Sequence, residues 1–371
     1  MTSALFQPLH LRKLRLPNRI MLSPMCQYSA EDGNPNDWHL IHLGQYALGG
    51  VGLVCIEATA VEAIGRITPN CLGLYSDDNE QAFRKLLQAL RAQSDTPIAI
   101  QLAHAGRKAS SHTPWDGGKL IPPESGGWLP AAPSAIAFAA TEPPPQEMAA
   151  ADLARVREAF VQSTLRAARL ELDAIELHAA HGYLLHEFLS PLSNRREDGY
   201  GGSLENRMRF PLEVFSAVRK VWPQDKPLGV RISASDWIEG GWDLAQSIEL
   251  ARRLKDAGCD WIDASSGGLA PEQKIILGPG YQVPFAQAVR SQTGVTTIAV
   301  GQITEPKQAE DIVASGKADM VALARGLMFD PHWAWRAARE LGGELHAPKQ
   351  YWRAPPRGAE NIFAGAKVGQ R

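Results

Sequence analysis

Two histidine pairs are notable because each pair places its members three residues apart. His39 and His42 form the first pair, and His178 and His181 form the second. Histidines at this spacing ligate a metal ion, donate two hydrogen bonds to one substrate oxygen, or pack in a core. His39 and His42 lie in an apolar helical run, which favours a structural role. His178 and His181 straddle the end of a predicted strand, just before Tyr183, which favours a functional role.

Four predicted strands carry polar side chains near their carboxyl ends. Side chains alternate across a strand, so the apolar residues between these polar ones face the helices and the polar ones face the other way. The polar set is Gln101, Glu176, His178, Arg231, Asp263 and Ser265. A buried arginine is costly unless an anion or an electron-rich group meets it. Two explanations stay open for Arg231: a pair with a carboxylate such as Glu176, or a bound ligand.

The elements that must position these residues alternate between strands and helices. Short apolar runs predict eight strands, over residues 19–22, 53–58, 98–102, 174–178, 228–233, 261–265, 297–300 and 320–323. Amphipathic patterns predict helices over residues 79–93, 152–170, 204–222, 244–257 and 305–314. This alternation predicts an α/β fold, a single (β/α)8 TIM barrel. A doubly wound sheet is the rival, but its G-x-G-x-x-G motif does not follow the first strand.

Both long loops of the chain follow predicted strands. They span residues 103–147 and 181–202, so we expect them on the carboxyl-terminal face, where barrel enzymes keep their active sites. Gly301, Ala324 and Arg325 follow the last two strands, at the usual phosphate-binding corner of a barrel. A cofactor with one phosphate suits that corner.

Composition excludes several classes of protein. The chain has 371 residues and a formal net charge of -2, which argues against nucleic acid as a partner. With 44% hydrophobic and 21% charged residues it has the profile of a folded domain. No apolar run reaches the roughly 18 residues of a membrane span, and no secretion signal is evident. Four cysteines without a C-x-x-C pair argue against disulfides and structural zinc. We therefore expect a cytoplasmic protein without membrane contact.

With these residues identified, the sequence resembles the old yellow enzyme family of flavin-dependent ene-reductases, and most closely its subgroup of bacterial NADPH dehydrogenases and xenobiotic reductase A. The resemblance covers nearly the whole chain. It rests on the motifs Ser23-Pro24-Met25-Cys26-Gln27-Tyr28, Glu57-Ala58-Thr59-Ala60-Val61, Gly65-Arg66-Ile67-Thr68, Gln101-Leu102-Ala103-His104-Ala105-Gly106-Arg107-Lys108, His178-Ala179-Ala180-His181-Gly182-Tyr183 and Tyr200-Gly201-Gly202-Ser203-Leu204-Glu205-Asn206-Arg207.

The resemblance implies tight, non-covalent binding of FMN across the barrel mouth. It implies that the flavin is lined by Ser23, Pro24, Met25, Cys26 and Ala58. It further implies that Gln101 and Arg231 bind the pyrimidine edge of the flavin. The ribityl chain and phosphate are then held by Ser265, Ser266, Gly267, Gly301, Ala324 and Arg325.

The resemblance also implies a reaction. NADPH visits as a transient hydride donor, and FMN passes the hydride to the activated C=C bond of an α,β-unsaturated carbonyl, an imide or a nitro compound. His178 and His181 bind the substrate oxygen, and Tyr183 supplies the proton. Cys26 tunes the flavin potential. The substrate pocket includes Tyr28, Lys108 and Arg353.

The domain assignment that follows is an FMN-binding barrel over residues 1–343 and a carboxyl-terminal arm over residues 344–371. The resemblance implies a homodimer or homotetramer in which Arg353 reaches the neighbouring site. Three alternatives remain. One is a metal-dependent barrel hydrolase that uses His178 and His181, although the sequence does not clearly supply a third metal ligand. The others are an FMN barrel oxidoreductase with a different acceptor and a non-catalytic binding barrel.

Overall fold

The computed structural model describes residues 3–367 of the chain. Within them, eight parallel strands pair in chain order and close into a barrel, in which the last strand pairs with the first. The barrel strands are β1 Ile20–Leu22, β2 Leu53–Ala60, β3 Ile98–Ala103, β4 Ala174–Ala179, β5 Leu228–Ser233, β6 Trp261–Ser265, β7 Thr296–Ala299 and β8 Met320–Leu323. The predicted (β/α)8 TIM barrel is confirmed.

Helices pack around the barrel between these strands. They are α1 Asp37–Leu48, α2 Asp77–Arg91, α3 Ala150–Arg169, α4 Leu184–Leu189, α5 Leu204–Val221, α6 Leu244–Asp256, α7 Val283–Thr293, α8 Pro306–Ala314, α9 Arg325–Phe329 and α10 Trp333–Leu341. The amphipathic patterns predicted α2, α3, α5, α6 and α8 correctly. The pattern missed α7 because its buried side chains are few and small, with Val283, Ala286 and Val289 as its only buried residues.

Polar side chains mark the starts of three of the outer helices. Ser76, Ser203 and Asp243 each accept a hydrogen bond from the backbone N–H three residues further on, at 3.1, 3.3 and 3.0 Å. Each bond satisfies a backbone donor that the first helical turn leaves unpaired. These caps fix where each loop of the carboxyl-terminal face ends and its helix begins.

An apolar floor closes the amino-terminal end of the barrel. A short antiparallel hairpin, Leu9–Leu11 with Leu14–Leu16, places Leu11 and Leu16 against the barrel interior. There they pack in one cluster with inward-facing strand residues, among them Met21, Leu53, Cys55, Ala99, Trp261, Ile298 and Met320. Water is therefore kept out from below, and polar chemistry is confined to the opposite end.

The largest side chain of this interior cluster requires a glycine opposite it. Trp261 on β6 pairs in register with Gly229 on β5 and is fully buried. A Cβ atom added at Gly229 would overlap the indole ring of Trp261. The glycine thus provides the space that the indole fills, at a position where the barrel backbone cannot easily yield.

Gly229→Ala should lower the free energy of unfolding by about 3 kcal/mol, because the added methyl group overpacks the barrel interior. Gly278→Ala is the matched control, since a Cβ there meets open space. It should change stability by less than about 0.5 kcal/mol. Thermal and chemical unfolding of both variants would measure the difference, and equal stabilities would refute this account of the interior.

Both long loops contain short structural elements. The first includes the 3-10 turns Gly106–Lys108, Pro114–Asp116 and Pro123–Ser125 and the strand pair Ala131–Ala132 with Gln146–Glu147. The second contains α4. None of the helices described in the structure is long and apolar enough to span a bilayer.

The carboxyl-terminal segment packs against its own barrel as far as it is described. The Leu345 N–H donates to the Ile362 carbonyl oxygen at 2.9 Å, and the Phe363 ring lies 4.9 Å from the Trp335 ring of α10. Leu345, Ile362 and Phe363 are buried. Residues 368–371, the end of the predicted arm, lie outside the described part of the chain.

Candidate active site

The predicted polar residues form a continuous layer at the carboxyl ends of the strands. Gln101 on β3 is in register with Glu176 on β4, and Arg231 on β5 is in register with both His178 and Asp263 on its two neighbouring strands. All of them are buried. The apolar residues that alternate with them belong to the core beneath the helices, including Ile175, Leu177, Val230 and Ile232. The inward direction predicted from alternation is therefore confirmed.

Arg231 spans the mouth of the barrel. Its Nε lies 3.2 Å from Asp263 Oδ2, and its Nη1 donates to Ser23 Oγ, just past β1, at 3.1 Å. The suggested pair with Glu176 is wrong, because Glu176 instead accepts hydrogen bonds from Gln101 and from the Trp261 indole, at 2.9 and 3.0 Å. Lateral register decides the partner, since Asp263 is the direct neighbour of Arg231.

The acidic residues of this layer sit in a low-dielectric environment. Burial raises the pKa of Glu176, and the nearby Asp263 carboxylate raises it further, while Arg231 opposes both effects. Burial likewise raises the pKa of Asp263, and Arg231 again opposes it. The Arg231 guanidinium therefore offsets part of the cost of ionising these two buried carboxyl groups.

His178 and His181 face one another beside Tyr183. The two imidazole centroids are 5.1 Å apart, and the Tyr183 ring lies 5.0 Å from that of His178. Burial, and then the charge of Arg231, lower the pKa of both histidines well below the ordinary value. Both are neutral at pH 7, so each offers one N–H donor. His181 Nε2 lies 2.7 Å from Ser265 Oγ, whereas the buried His178 Nδ1 has no hydrogen-bond partner among the described residues.

A strained turn carries His181. Its φ is +59° and that of Gly182 is +72°, both in the left-handed region. The His181 N–H donates to Ser233 Oγ at 2.9 Å, and the His181 carbonyl accepts from Lys108 Nζ at 2.8 Å. Lys108 Nζ also lies 4.9 Å from the centre of the Tyr183 ring, and burial lowers its pKa to about 8. Lys108 therefore adjoins the cluster formed by the two histidines and Tyr183.

The segment after β1 brings Cys26 and Tyr28 toward the same end of the barrel. Glu57, the extra residue of a bulge in β2, accepts the N–H of Gln27 and lies 3.3 Å from His39 Nε2. His39 is buried there on α1, in a structural contact as expected.

Burial, and then the Glu57 carboxylate, raise the pKa of Cys26. Its thiol keeps its proton at neutral pH, which argues against a thiolate nucleophile.

The predicted phosphate corner contains a residue that sequence reasoning missed. The amide oxygen of Gln282 accepts hydrogen bonds from Ser266 Oγ at 2.7 Å and Ser265 Oγ at 3.4 Å, and its nitrogen donates to the Val300 carbonyl at 3.1 Å. Gln282 thus joins the loops after β6 and β7. No motif in the sequence marks it. Gly267 and Gly301 in these loops have φ values of +73° and +116°, and Ala324 and Arg325 follow β8.

Three comparisons relate the chain to known proteins. A model described as the NADH:flavin oxidoreductase / NADH oxidase family matches residues 4–344. The chain is 46% identical over 355 residues to the NADPH dehydrogenase of Geobacillus thermodenitrificans, covering 95% of this chain and 99% of that protein. Identity to the Bacillus subtilis NADPH dehydrogenase is 45% over 355 residues, with coverage of 95% and 99%. Morphinone reductase superposes with a TM-score of 0.76 at 28% identity, covering 99% of this chain and 95% of that chain.

A barrel with this mouth and these relatives is a flavin-dependent oxidoreductase. The chain belongs to the NADH:flavin oxidoreductase / NADH oxidase family, which includes the old yellow enzymes. It is an FMN-dependent NADPH dehydrogenase. The metal-dependent hydrolase is not favoured, because the matched relatives are oxidoreductases.

The neutral state of His178 should be visible in the pH dependence of stability. Its pKa is lower in the folded chain, so below about pH 6.5 the unfolded chain binds the extra proton and stability falls as pH falls. His178→Gln should remove up to about 1.4 kcal/mol per pH unit from that slope. Chemical unfolding of FMN-loaded protein between pH 7 and pH 5 would measure it.

His10→Gln is the control for this measurement. His10 is exposed on the hairpin at the other end of the barrel, so the variant controls for the loss of a histidine outside the site. An unchanged slope in His178→Gln would mean that His178 is not held neutral.

Proposed function

We propose that this enzyme is an ene-reductase, which reduces the activated C=C bond of α,β-unsaturated carbonyls, imides or nitro compounds with NADPH. The observation that carries the proposal is the pair of neutral imidazoles packed beside Tyr183, with Arg231 as the adjacent cation. Two N–H donors at one point suit a single acceptor oxygen. The unpartnered His178 Nδ1 supports this, because buried polar atoms are rarely left unsatisfied.

The residues at the mouth fit FMN. Gln101 and Arg231 supply hydrogen-bond donors for the polar edge of the flat flavin ring. Gly267 and Gly301 have no side chain to cover their backbone, so their N–H groups, together with Arg325, can serve the phosphate. We assign the remaining contacts to Ser23, Pro24, Met25, Cys26, Ala58, Ser265, Ser266 and Ala324. When bound, FMN would supply the hydride-transfer chemistry that links NADPH to the β-carbon of the acceptor.

Arg231 has an electrostatic role in this proposal. Its charge, desolvated at the barrel mouth, stabilises the negative charge that reduction places on the pyrimidine side of the ring. Asp263 holds the guanidinium from the neighbouring strand, while Nη1 of Arg231 donates to Ser23. Cys26, with its protonated thiol, adjusts the reduction potential without forming a covalent bond.

The imidazoles and the phenol have separate tasks. His178 and His181 donate to the acceptor oxygen and thereby make its β-carbon electron-poor. Burial raises the pKa of Tyr183 well above its ordinary value, so the phenol stays protonated until a strongly basic carbon forms at the α-position. Tyr183 then donates its proton there.

Lys108 and Tyr28 shape the substrate pocket. The Tyr28 ring is itself in contact with the Trp115 ring, with 5.6 Å between the ring centroids.

We also propose a homodimer or homotetramer in which Arg353 reaches a neighbouring site, and a cytoplasmic location. Exposed apolar side chains support assembly: Trp38 and Ile41 lie on α1, and Met328 and Phe329 end α9. Because α1 follows β1 and α9 follows β8, these exposed groups lie on the same side of the closed barrel. The four free cysteines agree with a reducing compartment.

The proposal is tested by anaerobic reduction of the purified holoenzyme with NADPH, followed by 2-cyclohexenone or a maleimide. We expect NADPH to bleach the flavin and the alkene to restore its absorbance. His178→Ala and His181→Ala should each slow the second step by roughly 10²-fold, because each removes a preorganised donor. Flavin reduction should fall less.

His10→Ala is the control and should react as the wild type does. Full alkene reactivity in both active-site variants would remove the two histidines from the mechanism. If NADPH bleaches the flavin but no activated alkene reoxidises it, the result would favour the alternative FMN oxidoreductase with a different acceptor. If NADPH does not bleach the flavin, the result would favour the non-catalytic barrel.

Tyr183→Phe should slow the alkene step by at least roughly 10²-fold while FMN stays bound, because general-acid catalysis is lost. Stopped-flow reoxidation in H₂O and D₂O would separate proton transfer from hydride transfer. The NADPH step serves as the internal control, since it needs no proton from Tyr183. An alkene step with the wild-type rate and isotope effect would assign the proton to another group.

A further inference from the structure

The turn that carries the proposed oxygen donors is costly to maintain. The left-handed region is sterically strained for a residue other than glycine, and His181 occupies that region. The turn is also pressed against the loop after β6, because a Cβ at Gly182 would overlap the Gly268 carbonyl. Such a conformation persists only where its surroundings fix it.

A buried chain of contacts, called the relay below, holds the turn in place and runs from Gly182 through His186 to Asp236. The Gly182 N–H donates to His186 Nδ1 at 2.9 Å, and His186 Nε2 lies 2.9 Å from Asp236 Oδ1. The second contact is oblique, so it is electrostatic rather than an aligned hydrogen bond. Asp236 Oδ2 accepts from Ser190 Oγ at 2.6 Å and from the Trp242 N–H at 2.7 Å. His186, Asp236 and Ser190 are fully buried.

The relay defines the tautomer of His186. A backbone N–H can only donate, so Nδ1 must carry a lone pair and Nε2 must carry the hydrogen. Asp236 favours this arrangement because it is ionised: burial opposes ionisation, but the contact with His186 and the hydrogen bonds from Ser190 and the Trp242 N–H lower its pKa below the ordinary value. The cation of Arg207 on α5 also interacts with Asp236.

We infer that His186 and Asp236 are positioning residues for alkene reduction: through the amide of Gly182 they hold His181 and Tyr183 in the geometry that the substrate oxygen and α-carbon require. Gly182 stands between these two residues, and Tyr183 is the cap residue of α4, the helix that carries His186. A displaced Gly182 amide therefore moves both groups. This inference rests on the proposed function.

Asp236→Asn tests the tautomer. One carboxylate oxygen of Asp236 faces the Trp242 N–H and the other faces His186 Nε2. The NH₂ group of an asparagine at this position must therefore lie against one of these two N–H donors, either that of Trp242 or that of His186. In the second case the imidazole hydrogen moves to Nδ1, and Gly182 loses its acceptor. We expect reoxidation by 2-cyclohexenone to slow at least about tenfold, with FMN content and flavin reduction near wild type.

Ser190→Ala is the matched control, because it removes a hydrogen bond to the same carboxylate but leaves His186 unchanged. It should stay within about twofold of wild type. Hydrogen exchange of the peptide over residues 180–189, measured by mass spectrometry, adds a readout independent of activity. Exchange at Gly182 should rise about tenfold in Asp236→Asn and stay unchanged in Ser190→Ala.

His186→Asn and His186→Leu form a second pair, which serves if Asp236→Asn does not fold. Both lose the contact with Asp236, but the asparagine oxygen takes the place of Nδ1 as acceptor. His186→Asn should therefore reduce alkenes about tenfold faster than His186→Leu and protect Gly182 better from exchange. Equal rates and equal exchange in this pair would overturn the inference.

The two proposals fail in different ways. If the wild-type enzyme does not reduce activated alkenes, the proposed function fails, while exchange at Gly182 still reports on the relay. If the wild type reduces them and Asp236→Asn matches Ser190→Ala in both rate and exchange, the relay has no positioning role and the inference alone is overturned.

Discussion

One buried positive charge controls the chemistry of the barrel mouth. Arg231 lies between Asp263 and Ser23, where burial makes an isolated cation very costly. The Asp263 carboxylate offsets that cost. The positive charge of Arg231 then acts on the neighbouring titratable groups. Burial, and then the charge of Arg231, lower the pKa of His178 and His181, and Arg231 also opposes the rise in the pKa of Glu176 that burial causes. The guanidinium therefore reinforces the effect of burial on the imidazoles and offsets its effect on the carboxyl group.

The barrel makes this arrangement possible by dividing its interior into two zones. The hairpin leucines and Trp261 fill the lower zone with apolar groups, and the indole N–H of Trp261 forms the boundary by donating to Glu176. Above that boundary the strands contribute side chains in lateral register, so Arg231 meets His178 on one side and Asp263 on the other. Closure of the sheet brings Ser23, which follows β1, within reach of Arg231 on β5. An open sheet would leave these residues far apart.

Local patterns in the sequence were sufficient for the strands, the main helices and the inward direction of the polar side chains, because alternation along a strand is a property of the backbone itself. They were insufficient where a contact depends on how two strands or loops align. The partner of Arg231 follows from the register of β5 with β6, which the sequence does not state. Gln282 and Asp236 each contact a residue of another βα unit, and only the folded chain shows that Gln282 meets the Val300 carbonyl or that Asp236 meets His186.

The proposed division between hydrogen bonding by the imidazoles and proton transfer by Tyr183 explains why the turn after β4 must be rigid. In the proposed reaction, a charged imidazole would bind an acceptor oxygen more strongly but would also release its proton to it, and Tyr183 would then lose its proposed role. Neutral imidazoles avoid that loss but depend on alignment, since a neutral hydrogen bond weakens steeply as its angle departs from linearity. The His181 carbonyl, the His181 N–H and the Gly182 N–H are each held by a different side chain, Lys108, Ser233 and His186. In the proposed reaction, the alignment of the donors toward the acceptor thus depends on the side chains that hold the backbone of this turn.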